Sequence, residues 1–311
     1  MHLLQSARRA RITSRSVVLA LISVSASASG QSVSGVDVAD STVRRSDVVQ
    51  PMRGKSGKLQ LGVVRDSYPA AIGILQRLFG DSAVRRPGIY TLSDSAGDTP
   101  FSLVRLIPFS SKERGQMGDY RLGRWPAERR APRSEAYLSP EGFIEVTAAN
   151  QLTSVSEHFR LSDFLTHNQQ DVWPKYLVLR EALVDKLEII LDDLSSRGID
   201  ARRFAVLSGF RTPEYNAKGV RRGGRAKDSR HQYGDAADIF VDSDGDGRMD
   251  DLNHDGRVNS RDAKVLIESV ERVERDHPEL VGGAGLYRAT RSHGPFVHVD
   301  VRGNRARWSR G

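Results

Sequence analysis

Two short runs, far apart in the chain, constrain the fold more than anything else in it. They are Ala236–Ala237–Asp238–Ile239–Phe240–Val241 and Phe296–Val297–His298–Val299–Asp300. In the first, Ala237, Ile239 and Val241 alternate with Asp238 and Phe240, which predicts a strand projecting Asp238 to one side. In the second, His298 and Asp300 are two apart, so a strand places them on one face. His231 stands seven positions before Asp238, in a loop that enters the first strand. Gly234, Ala236 and Ala237 are small and let the backbone approach a metal or another strand closely. If the two strands are neighbours, His231, Asp238 and His298 meet. Two imidazoles and one carboxylate suit a catalytic zinc ion, with a fourth position left for water.

Between the second and third of these residues lies a separate metal signal. Asp242, Asp244, Asp246, Gly247 and Asp250 match positions 1, 3, 5, 6 and 9 of a calcium loop, but position 12 is Asn253. An overlapping frame runs through Asp251, Asn253, Asp255, Gly256 and Asn259 to Asp262 at position 12, and is similar to dockerin-type calcium loops. Seven aspartates in the 21 residues from 242 to 262 repel one another unless a cation lies among them. A helix over Ser260–Arg275, with Leu266, Val270 and Val273 on one face, would complete a loop–helix unit.

Further motifs extend the zinc residues into an ordered set. Ser208–Gly209–Phe210–Arg211–Thr212–Pro213 is followed by Tyr215–Asn216 and by Ser229-x-His231-x-x-Gly234-x-Ala236-x-Asp238. Gly285–Leu286–Tyr287, Phe296–Val297–His298–Val299–Asp300 and Arg307–Trp308 come next. In this order the residues resemble the zinc D-Ala-D-Ala metallopeptidases, nearest to the periplasmic murein endopeptidases with a Ser-Gly-Tyr-Arg-Ser-Pro motif. Phe210 stands here for the usual Tyr and Thr212 for the usual Ser. The resemblance covers Phe143 to Trp308, about half the chain. It implies an α+β fold with a central antiparallel sheet flanked by helices. It also implies His231, Asp238 and His298 as zinc ligands, and Arg211 as the group that binds a substrate carboxylate or carbonyl oxygen. Several family members carry Glu or His three positions before the last ligand, where this chain has Pro295. That leaves Asp300 as general base, with His293 as runner-up. The alternative is that Asp300 only fixes the tautomer of His298.

The rest of the chain reads as follows. Residues 1–28 have four arginines and no acid, an apolar run near Val17–Val24 and Ala26–Ser27–Ala28 as a small-x-small site, the pattern of a secretory signal peptide. Residues 29–60 read as a flexible linker. Residues 61–140 read as a small β-rich domain, with a short helix over Asp66–Phe79 ended by Gly80 and strands at Ile89–Leu92 and Phe101–Ile107. Tyr120 and Trp125 there are either core aromatics or a glycan-stacking surface. Residues 141–311 form the expected zinc peptidase domain, opening on a strand at Phe143–Val146. His158 is read as structural. A helix is expected over Lys175–Ser196 on the stripe Leu179, Leu183, Leu187, Ile190 and Leu194. A buried strand at Phe204–Leu207 leads to Arg211. A mobile basic loop carries Lys218, Arg221, Arg222, Arg225, Lys227 and Arg230, suited to steering an anionic polymer. Gly282–Gly285 reads as a flexible turn, and Arg302, Arg305, Arg307 and Arg310 as a basic tail.

The chain has 311 residues and no cysteine, which excludes disulfides, cysteine-ligated zinc and a lipidated N-terminus. Its net charge of +8 falls to +4 when Arg8, Arg9, Arg11 and Arg15 leave with the signal peptide. No basic stripe interleaved with aromatics speaks for nucleic acid, and no later stretch is long and apolar enough to anchor it in a membrane. Together with these readings, the resemblance implies an exported periplasmic or secreted zinc peptidase, with calcium expected to stabilise it and peptidoglycan expected as partner. Two other classes remain: a murein-binding protein without activity, and a calcium-dependent adhesion or scaffold module.

Overall fold

The computed structural model describes residues 22–27, 45–94, 100–222 and 224–310. Most of the expected signal peptide, and the linker up to residue 44, lie outside them. The fold is mixed α+β, with several small sheets and six helices among the described residues.

The N-terminal part contains β1 (Ile22–Ser27), α1 (Arg45–Met52), β2 (Leu61–Val63), α2 (Pro69–Phe79), α3 (Asp81–Arg85), β3 (Gly88–Asp94) and β4 (Phe101–Arg105). Its sheet runs β1-β3-β4-β2, antiparallel except for the parallel β2–β4 pair. β1 is an edge strand, so removing it with a signal peptide leaves β3-β4-β2 paired. Both faces of this sheet are covered. Tyr90, Phe101 and Leu103 pack with Ala71 and Leu75 of α2, while Ile89 and Val104 join the main core. Burial on alternate sides explains why Phe101–Val104 is buried without a break.

Residues 45–60 are not the unstructured linker that their composition suggested. Beyond α1, the backbone N–H groups of Lys55 and Ser56 donate to the Asp185 carboxylate at 2.7 and 2.9 Å. Such charge-assisted bonds tie the segment down despite its scarcity of apolar side chains.

The middle part contributes β5 (Ile107–Pro108), β6 (Gln116–Met117), β7 (Tyr120–Arg121), β8 (Gly142–Val146) and β9 (Lys175–Leu177). Trp125 and Tyr120 are buried in the main core, which removes them as a glycan-stacking surface. The Trp125 indole N–H donates to the Gln232 carbonyl at 2.7 Å, bracing the loop that follows His231. The helix expected from Lys175 begins later, because Lys175–Leu177 pairs with β8. Pairing with a strand already in place overrode the helical spacing of this stretch.

The remaining elements are α4 (Glu181–Ser196), β10 (Phe204–Ser208), α5 (Pro213–Arg221), β11 (Ala236–Val241), α6 (Ser260–Asp276), β12 (Gly283–Tyr287), β13 (Phe296–Asp300) and β14 (Ala306–Arg310). Five strands form one sheet in the order β10-β11-β13-β12-β14, antiparallel except for β12–β14. α6 packs on β12 and β13, and α4 packs on α6. Ala263, Leu266, Val270 and Val273 supply the buried face of α6, at the three-and-four spacing a helix requires. One expectation fails here. The glycines at 283 and 285 sit in a strand rather than a flexible turn, while the basic tail lies beside the cleft as expected, its residues from Ala306 forming the edge strand β14. Gly285 faces the Trp308 indole so closely that a Cβ there would lie 2.2 Å from the ring. Here glycine serves close packing.

Candidate metal centre

Three backbone devices bring the expected ligands together. Asp238 on β11 and His298 on β13 are direct cross-strand partners. His231 lies in a short 3-10 turn, Arg230–Tyr233, ended by Gly234 in the left-handed conformation at φ 66°. A Cβ on Gly234 would fall 2.3 Å from the Val178 carbonyl, so this turn needs glycine on both counts. The Arg211 backbone N–H donates to the His231 carbonyl at 3.0 Å, joining the Ser208–Pro213 motif to the same turn.

The three ligand atoms form a small triangle. His231 Nε2 lies 3.2 Å from Asp238 Oδ1 and 3.1 Å from His298 Nδ1, and the latter two are 3.0 Å apart. Ligands of a tetrahedral zinc ion with bonds near 2.0–2.1 Å stand about 3.3 Å apart, so the donor set fits with little adjustment.

The tautomers follow from the outer hydrogen bonds. The Gly209 carbonyl can only accept, so His231 Nδ1 donates to it at 2.7 Å and Nε2 turns its lone pair inward. On the other imidazole, Nε2 donates to Asp300 Oδ2 at 3.0 Å, and Nδ1 faces the centre. Two nitrogens and one carboxylate oxygen thus converge, all within buried residues. A cation or a proton must lie between them.

Electrostatics favour the charge-accepting form of this set. Burial, together with the Arg211 guanidinium, lowers the His231 pKa to about 4. Burial works against ionisation of Asp238, but His231 and Arg211 outweigh it and hold the carboxyl well below its usual range. For His298 burial opposes the charge, and the bonds to Asp238 and Asp300 reverse it, so the net shift is upward. A metal ion binding there would compete with protons for these atoms.

Asp300 bonds to the outer nitrogen of His298, the placement expected if it fixes that tautomer. Its carboxylate sits on the far side of the His298 ring from the centre. It also accepts from the Gly283 N–H at 2.8 Å and from the Arg302 guanidinium, and is fully buried. The backbone of Asp300 is held in turn. Lys186 Nζ, itself fully buried, donates to its carbonyl at 2.9 Å and to Glu274 Oε1 at 2.7 Å. Arg307 closes this chain by pairing with Glu274 Oε2 at 2.5 Å. Nothing in the sequence marked Lys186 or Glu274. Both lie on helices whose other positions read simply as amphipathic.

The other expected residues divide. Arg211 stands at the centre, donating from Nε to Ser208 Oγ at 2.7 Å and from Nη2 to Asp238 Oδ2. His293 is not in the cleft: it packs edge-on to Phe296 and its Nδ1 donates to the Gly294 carbonyl. His158 is structural as expected, bonded through Nδ1 to Glu188 Oε2 at 2.7 Å. Arg230, expected in the mobile basic loop, is buried and paired with Asp235.

The ligands open into a cleft of about 610 Å³, with Arg225, Asp228, Tyr287 and Trp308 on its walls. Arg225 and Asp228 belong to the stretch expected as a basic loop for steering an anionic polymer, and the fold sets both on the wall of the cleft.

Of the acidic loop, Asp242, Asp244 and Asp250 bring carboxylate oxygens within 4.8 Å of one another. Among the described residues, Asp251, Asp255 and Asp262 of the overlapping frame do not gather their carboxylates in this way. Asp262 accepts from the N–H groups of Leu252, Asn253 and Asn259, and with Asn259 it caps α6. Asp251 accepts from Gly256 N, Asn253 from Asp255 N, and Asp255 pairs with Arg261. Turn hydrogen bonds of this kind run through both frames, and Asp262 adds the helix cap to the second.

Comparison with known proteins found no matching family model, no matching curated sequence and no matching solved structure. Among the described residues, no helix is long and apolar enough to cross a membrane.

Proposed function

We propose that this protein is an exported zinc peptidase that hydrolyses amide bonds in the stem peptides or cross-links of peptidoglycan. The observation that carries the reading is the inward convergence of His231 Nε2, Asp238 Oδ1 and His298 Nδ1. Zinc bound by them would supply Lewis-acid polarisation of a carbonyl and activation of water.

The chain's own residues supply the rest. Gly209 and Asp300 fix the two imidazole tautomers. Arg211 is locked by Ser208 and Asp238, leaving Nη1 to hold a substrate oxygen where negative charge develops. Tyr287 and Trp308 are joined by an indole-to-phenol hydrogen bond of 3.2 Å and make a firm wall beside the ligands. The metallopeptidase-like arrangement, a central antiparallel sheet flanked by helices, is supported by α6 lying on β12 and β13. Export is supported by the signal-like residues 1–28.

Structural calcium belongs to the same proposal, with Asp242, Asp244 and Asp250 as its carboxylates. Gly245 and Gly247, both at φ 80°, give the loop its bends.

The test is digestion of purified murein by the zinc-loaded protein and by His231→Ala, with the released fragments identified by mass. Fragments from the wild type alone support the peptidase. A murein-binding protein without activity is the second reading, favoured because Asp300 is spent on His298 and Arg302. It predicts no fragments but retention of the protein on murein.

A further inference from the structure

A second cleft, of about 620 Å³, lies beside the first, between α5 and the Gly123–Arg130 segment. Its rim carries Arg124, Arg129, Arg130, Lys218, Arg221 and Lys227. The one acid lining it is Glu214, already shared by Lys218 at 3.5 Å and Arg121 at 3.3 Å. Among the described residues, Arg124, Arg129, Arg221 and Lys227 have no acidic partner. Like charges gathered around a concavity raise a positive potential that a convex surface would spread into solvent.

The floor of this cleft differs from its rim. Pro126, Pro213, Ala217 and Val220 give it apolar ground. Asn216 also lines it and is 1% exposed. The Asn216 side-chain N–H donates to the Ala226 carbonyl at 3.0 Å, whereas its Oδ1 has no partner. A buried acceptor left unpaired calls for a donor from elsewhere. The cleft thus asks for a ligand with several negative charges, N–H or O–H donors and small apolar groups. A carboxylate-bearing peptide strand has all three.

The two clefts adjoin. Lys227 lines both, and Asp228 of the metal cleft is bridged to Arg130 of the second at 2.6 Å. We infer that the second cleft binds the carboxylate-bearing peptide strand of an anionic glycopeptide polymer, holding one segment while the next lies over the metal ligands. This rests on the peptidoglycan reading above and gives it a second binding region remote from the chemistry. It also divides the basic stretch: Lys218 and Arg221 serve the second cleft, and Arg225 the first.

The test is co-sedimentation of the full chain with insoluble murein. The variant is Arg124→Glu/Arg129→Glu/Arg221→Glu, at three exposed positions. It should bind about tenfold more weakly than wild type, and wild-type binding should fall steeply as salt rises to about 0.3 M. The Gln triple variant, milder to the fold, should lose about threefold. Murein with amidated carboxylates should hold the wild type as weakly as native murein holds the Glu variant. Undiminished binding by both variants, or by amidated murein, overturns the inference. A wild type that sediments with murein in this way yet releases no peptide would count against the peptidase and leave this cleft standing.

Discussion

Asp238 and His298 face each other across two antiparallel strands, with Oδ1 and Nδ1 3.0 Å apart, and His231 closes the triangle from a turn. Two of the three ligands are therefore fixed by sheet register. A one-residue slip of β13 would turn His298 to the opposite face.

Replacing Asp300 separates orientation from proton transfer. Asp300→Asn should lower zinc affinity about 10- to 100-fold, because the carboxylate holds the His298 ring and tautomer. At saturating zinc most of the hydrolytic rate should return. A rate that stays lost with zinc fully bound would restore Asp300 as the base.

The Lys186 chain should matter for stability. Lys186 is held by Glu274 and the Asp300 carbonyl, and burial lowers its pKa despite those partners. Lys186→Ala leaves Glu274 buried with only Arg307 and the Gly282 N–H, and should cost about 3–5 kcal/mol in urea unfolding. A loss below about 1 kcal/mol would show that the chain is not coupled as its geometry indicates.

The His158–Glu188 pair gives a pH signature. The Glu188 carboxylate, with burial opposing it, raises the His158 pKa above 6.5. A raised histidine contributes fully below pH 6.5 and loses that contribution as pH rises through the folded value. His158→Ala should therefore be less stable than wild type by about 2 kcal/mol at pH 6, with the gap narrowing at higher pH. A gap that widens with pH would contradict the pairing.

Close packing at β12 and β14 gives a fourth expectation. Gly285→Ala drives a Cβ into the Trp308 indole and should cost about 1–3 kcal/mol, read as a lower Tm. An unchanged Tm would mean that β14 moves aside freely.

Calcium should act on the acidic loop alone. Asp250→Asn should abolish any rise in Tm that calcium gives the wild type, while zinc binding persists. A calcium effect that survives this substitution would place the ion elsewhere.

The ligand triad was legible in the sequence because strand periodicity and close spacing act locally. His231 and Asp238 are seven residues apart, and His298 sits in an unmistakable strand. Sequence could not show what those side chains lean on. Asp300 was read as a base because the facing of a carboxylate, toward the ion or away from it, depends on tertiary contacts with Gly283 and Arg302. β9 was missed because a partner strand in β8, distant in sequence, decided between helix and strand. Glycines at 283 and 285 looked like punctuation, yet at 285 the reason is the Trp308 ring. The aspartates of the second loop matched a spacing that turn chemistry satisfies equally well.

The claim beneath all of this is that three side chains hold one divalent ion. Titrating the metal-free protein with zinc by calorimetry, beside His231→Ala and His298→Ala, reads it directly. One zinc per chain, bound with proton release and weakened at least 100-fold in either variant, is the expected result. Equal zinc binding by the wild type and both variants, or none by any of them, would contradict it.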